Sequence, residues 1–240
     1  MSLSAPQIGF DRFIHLDWVT AALDVRAGSG NVHDLSVTLE AAGLSLAARK
    51  KTRTVLNRLW LEPRPDLAAL ATRGVEIHRS APDVPIAALS WGMAIASYPF
   101  FGKVAELVGR LSALQGDCAA AEVHRRMSET YGEREGTYRM TNMVLQSQAS
   151  WGAIERAEKG KRLIRRPPIK VHDDRAIAWL IEAALRYSGK SVSVASLPAL
   201  AVIYPFVLDR PLGYVTSNSP MLELRSEGSG HQSVSLAGEV

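Results

Sequence analysis

The stretch Lys159 to Lys170, KGKRLIRRPPIK, carries six positive charges and no negative one. Long cations at this density are suited to neutralising phosphate oxygens and displacing the counterions condensed on a nucleic acid. Leu163, Ile164 and Ile169 within the same stretch call for a packed side, which a solvated charge run would not need. Glu158-Lys159-Gly160-Lys161 reads as a tight turn between two arms, one holding Ile154 and the other Leu163 and Ile164. Lys159, Lys161 and Arg162 would then meet phosphates or a minor groove, with Arg165 and Arg166 beside them, and Pro167-Pro168 would stop further strand pairing. The alternative is a basic linker between domains.

What precedes this stretch favours a wing. A helix from Ala119 to Met127, a turn at Tyr131-Gly132 and a helix from Gly136 to Trp151 lead into it, the order of a winged helix. Spacings of three and four put Arg139, Asn142, Gln146 and Ser150 on one face of the last helix, and such side chains read guanine and adenine edges. A second basic element lies at Val32 to Trp60, where a short helix, a turn at Gly43 and a longer helix fit a helix-turn-helix. There Arg49, Lys50, Lys51, Arg53 and Arg58 meet no acidic residue between Leu46 and Arg58, and Asn57 could reach a base. A solvated outer face of a bundle helix is the equal alternative for this stretch.

The elements that must position these residues are mostly helical. Period-3.6 patterning marks helices over residues 11–26, from Leu46 to Leu61 and from Asp173 to Gly189. Asp117 and Asp173 are expected helix caps, as is Asp83 ahead of two buried helices. Val84 to Gly102 has no charged residue, but Pro85 and Pro99 break it, so two buried helices meeting at Tyr98-Pro99 are expected instead of a membrane span. After Val192 the pattern changes to short strand-like pieces, at Val192–Val194, Leu212–Val215, Met221–Arg225 and Val234–Leu236.

No catalytic constellation emerges from the residues. The chain has no phosphate-binding G-x-x-x-x-G-K-[ST], no H-E-x-x-H and no G-x-S-x-G. His33-Asp34 and His172-Asp173-Asp174 lack a third ligand, and helix capping is their expected use. The single cysteine, Cys118, excludes an internal disulfide, fits a reducing cytosol and has no activating base beside it. The five tryptophans fall among apolar residues and are expected in the core. With 47% hydrophobic residues in 240, the chain can bury a sizeable core, and no secretory signal opens it. Its net charge of +4 matters for where it is concentrated.

The segment ending Tyr98-Pro99-Phe100-Phe101, the helix VAELVGRLSAL, the block EVHRRMSETYGEREGTYRMTNMVLQSQASWGAI and the basic helix ARKKTRTVLNRLW resemble the BrxA-like helical accessory proteins of BREX phage-defence systems. That resemblance, over residues 11–190, implies a compact helical fold, DNA binding and a non-enzymatic role beside larger defence enzymes. The strand-rich tail departs from it.

The expectation is therefore a mainly α protein, a compact helical bundle with helix-turn-helix and winged-helix-like elements and a small strand-rich C-terminal segment. Residues 1–65 would form a helix-turn-helix unit, 66–171 a helical core with the winged element, and 172–240 a helix plus strands. A cytoplasmic accessory protein binding double-stranded DNA, with no cofactor, metal, catalysis or membrane, is the expected function. A winged-helix repressor, a protein-binding scaffold and an RNA partner stay open as alternatives.

Overall fold

The computed structural model describes residues 9–226 and 231–238. The chain is mainly α, as the periodicity indicates. Helices α1 (Leu16–Ala27), α2 (Val32–Ala41) and α3 (Leu46–Leu56) come first, and α3 runs into a π turn at Asn57–Leu61. Asn31 and Ser45 cap α2 and α3 through their side chains. Helix α1 starts later than its apolar spacing suggests, because Ile14 is held in an extended segment: its amide donates to Ser147 Oγ at 2.9 Å, and that of Leu16 donates to Ser150 Oγ at 3.2 Å. Ser150 therefore ties down the N-terminal segment and does not face outward.

Helix α4 (Ala68–Ser80) leads to α5 (Ile86–Ser97) and α6 (Pro99–Leu111), which meet at Tyr98 as the proline requires. Asp83 does not cap α5; Pro85 occupies that position. Helix α5 is buried on every side, which explains its uncharged sequence. No helix of the described residues is long and apolar enough to cross a membrane. Trp91 on α5 is fully buried, meets the rings of Phe101, Trp151, Tyr204 and Phe206 edge-on, and donates from Nε1 to the Val202 carbonyl at 2.8 Å. At Gly92 a β-carbon would overlap the Trp179 ring, so only glycine lets α9 (Asp174–Ser188) lie this close to α5.

The middle of the chain continues with β1 (Asp117–Ala119), α7 (Ala120–Tyr131), α8 (Glu135–Ser150), β2 (Ile154–Ala157) and β3 (Arg162–Arg165). The three strands form an antiparallel sheet in the order β1-β3-β2. Asp117 therefore opens a strand and does not cap α7, whose N-terminus has no side-chain cap. Pro167-Pro168 ends β3, but pairing resumes at once in β4 (Ile169–Val171), which runs parallel to β6 (Phe206–Leu208).

Asp173 caps α9 through the amides of Arg175 and Ala176, and Gly189 ends it in the left-handed conformation. After it come β5 (Val192–Ser193), short 3₁₀ turns, β6, α10 (Leu212–Ser217), β7 (Leu222–Ser226) and β8 (Gln232–Leu236). The expected strand at Leu212–Val215 is a helix instead: Pro211 sets its start, and Leu212, Val215 and Thr216 bury at helical spacing. The order β5-β8-β7 repeats β1-β3-β2: each sheet pairs a strand that follows a helix with the second strand of a later hairpin, with α7 and α8 between them in the first unit and 3₁₀ turns, β6 and α10 in the second. One contiguous cluster of buried residues extends from Phe10 to Leu236 across both.

Candidate nucleic-acid interface

Helices α7 and α8 pack side by side and bury Val123, Met127 and Tyr131 of the first and Met140, Val144 and Leu145 of the second in the core. That packing turns Arg139 fully outward and leaves Asn142 and Gln146 half-buried on the same face of α8. The wing is present as expected. Leu163 is fully buried, Ile154 is 1% exposed, and the turn between them passes through three left-handed residues, Glu158, Lys159 and Gly160. Such backbone is strained for Glu158 and Lys159 and is tolerated at Gly160, where φ is +86°.

Between α8 and the wing lies a cleft of about 780 Å³, reached by His124, Tyr138, Asn142, Arg156, Lys159 and Lys161 among others. Arg156, on β2, crosses under the wing tip: a β-carbon on Gly160 would sit 2.8 Å from its Nη2. The same nitrogen donates to Asn142 Oδ1 at 2.6 Å. Burial lowers the Arg156 pKa from its ordinary value, and among the described residues no carboxylate lies within ion-pairing distance of it. A desolvated cation held only by a neutral amide is an unbalanced charge facing the cleft.

The other wing cations divide into two groups. Lys159, Lys161 and Arg166 are exposed and form no ion pair among the described residues. Arg162 is exposed but bound to Asp117 and, at 3.8 Å, to Glu158, so it reaches a phosphate only by exchanging partners. Arg165 departs from the expectation altogether. It turns into the protein, donates from Nε to Ser112 Oγ at 2.6 Å and from Nη2 to the Gly109 carbonyl, and lies 5.2 Å from the Tyr204 ring centre. Strand β3 alternates, so Arg165 falls on the same face as buried Leu163, and its guanidinium serves the fold.

The α2–turn–α3 unit is also present, but less of it is free. Arg49 pairs with Glu40, a carboxylate contributed by α2, and Arg53 donates to Ser36 Oγ at 3.4 Å. Asn57 has its Oδ1 buried without a partner, which removes it from the candidate base readers. Arg58 is exposed with its guanidinium 6.0 Å from the Tyr98 ring centre. Of this unit's candidate cations, Lys50 and Lys51 alone are exposed with no such contact among the described residues.

Charge follows the same division. Residues 112–171 hold eleven Lys and Arg against seven Asp and Glu, whereas residues 172–240 hold five against seven. Helix α10, which occupies in the second unit the place of α8 in the first, has no charged residue. Among the described residues no cluster of three or more His, Cys, Asp or Glu could hold a metal ion.

Arg156 is the site residue that the charge run conceals, because Glu155 and Glu158 flank it in sequence. Its signal was the two-residue period of β2, which puts Arg156 on the face of Ile154, toward α8. Compared with protein-family models, curated proteins and solved structures, the chain matches none of them significantly.

Proposed function

We propose that this protein binds duplex DNA through its winged helix, with α8 directed at the major groove and the wing at the adjoining backbone. The observation that carries this reading is Arg156, a cation without a counter-charge between the helix and the wing. One strand running through that cleft would place phosphates against Arg156, Lys159 and Lys161, and base edges against Arg139, Asn142 and Gln146. Lys50, Lys51 and Arg58 on the N-terminal unit would add backbone contacts. The role is binding without catalysis, and the resemblance to BREX accessory proteins is the ground for placing it beside larger phage-defence enzymes.

The test is a salt titration of duplex binding by fluorescence anisotropy, comparing the wild type with the double variant Lys159→Ala, Lys161→Ala. Each phosphate contact contributes about 0.9 to the slope of log K against log salt, so the double variant should lose nearly two. An unchanged affinity and slope would remove the wing from the interface. Single-stranded DNA and duplex RNA measured in parallel decide between polymers.

A further inference from the structure

Tyr138 stands one turn before Asn142 on α8 and is 58% exposed, yet its ring is not loose. It stacks on His124 of α7, ring centres 4.0 Å apart and planes within 20° of parallel. Burial lowers the His124 pKa, which keeps that imidazole neutral at pH 7, so the pair presents an uncharged aromatic surface to the cleft. No other ring pairs with Tyr138 among the described residues. A backbone phosphate has no use for a flat apolar surface, whereas a nucleobase does.

Beside the ring, Asn142 offers a hydrogen-bond donor of fixed direction. Its Oδ1 accepts from Arg156, which directs its Nδ2 away from that contact. Lys161 and Arg156 supply the cations that a flanking phosphate needs. The cleft, about 780 Å³, falls within the range of roughly 300–1,000 Å³ that small-molecule sites occupy.

We infer that this cleft takes one unpaired nucleotide of a nucleic-acid strand, its base laid on Tyr138, a base acceptor bonded to Asn142 and its phosphate between Arg156 and Lys161. Inside a paired duplex every base stacks on its neighbours and offers no face to a tyrosine, so the occupant is a bulged, flipped or terminal nucleotide. The inference rests on the duplex reading and narrows it to duplexes that carry an unpaired base.

The experiment compares three labelled duplexes of the same sequence: fully paired, with one central unpaired adenosine, and with an abasic residue in that bulge. The wild type should bind the adenosine bulge at least about fivefold more tightly than the other two, the lower bound for one base–aromatic stack. Tyr138→Phe should keep the difference, and Tyr138→Leu should abolish it. Equal, measurable affinity for all three duplexes overturns the nucleotide site and leaves duplex binding standing, while no affinity for any overturns both. A bulge preference that Tyr138→Leu retains also overturns the assignment to this ring. Free adenosine monophosphate at millimolar concentration should not displace the bulged duplex; displacement at micromolar concentration would assign the cleft to a free nucleotide instead.

Discussion

The guanidinium of Arg156, carried by the hairpin strand β2, holds the side-chain oxygen of Asn142, carried by helix α8, at 2.6 Å. The link joins the helix and the hairpin that the proposed DNA-binding surface combines. It also fixes which way the asparagine amide points. An asparagine that reads adenine uses oxygen and nitrogen together, and here the oxygen is already engaged.

Base preference should follow from that bond. In a selection from randomised duplexes, the wild type should favour guanine or thymine, whose major-groove edges accept without also donating, at the position Asn142 reads. Arg156→Met frees the oxygen and should move the preference toward adenine while weakening binding overall. An adenine preference in the wild type would contradict the bond as a specificity device.

Arg165 and the exposed wing lysines should separate stability from binding. Arg165→Ala leaves the Ser112 hydroxyl and the Gly109 carbonyl without their charged donor, at a cost of about 1.5–3 kcal/mol in urea unfolding. Its salt slope of DNA binding should match the wild type. A lost slope with unchanged stability would put Arg165 back among the phosphate ligands.

Glu182 is 1% exposed and accepts from Arg73 at 2.6 and 2.7 Å and from Arg186 at 2.9 Å. Glu182→Ala strands both cations at the edge of the core. Breaking a buried pair costs about 3–5 kcal/mol, and the lower end applies because both arginines still reach solvent. In a chain of this size that lowers Tm by about 6–12 °C in a thermal melt. A shift under about 2 °C, on the same scale, would show that the arginines find solvation elsewhere.

Because burial depresses the His124 pKa, the unfolded chain binds its proton first as pH falls. Its contribution to stability is complete above about pH 6.5 and declines as pH drops from there toward the folded pKa. Urea melts at pH 7.5 and 5.5 should therefore show a larger loss in the wild type than in His124→Gln. Equal losses would mean the ring accepts its proton in the fold without penalty.

Cys118 has its pKa raised to about 11 by burial first and by Asp117 second. The thiol therefore stays protonated at pH 8, and alkylation by iodoacetamide should run roughly a hundredfold slower than for a free cysteine. Rapid labelling at pH 8 would show that β1 opens readily from β3.

The parts of this fold legible in the residues are those where one local rule acts unopposed. Asp173 before an amphipathic run and Gly189 after it mark α9 within a residue at each end, and apolar Leu163 amid cations marks the wing. Legibility fails where a distant partner decides. Asp117 looks like a cap, but Arg162 on the neighbouring strand claims its carboxylate. Arg165 looks like one more surface cation until Ser112 and Tyr204 are known to lie behind it. The repeated element order is invisible because its second copy replaces the sixteen-residue α8 with the six-residue LGYVTS, keeping the strand order and neither the length nor the charged residues.

The parallel pairing of β4 with β6 bears on synthesis as well as on shape. Strand β4 follows the wing directly, but its partner is made only after α9 and the turns behind it. Tyr204, which backs Arg165 and bonds Gln148 of α8 at 2.9 Å, arrives equally late. During synthesis, β4 lacks its pairing partner until Phe206–Leu208 has been made. Premature termination within α9 would then yield a chain in which α8 and the wing are both made but lack the Tyr204 side chain that bridges Gln148 and Arg165.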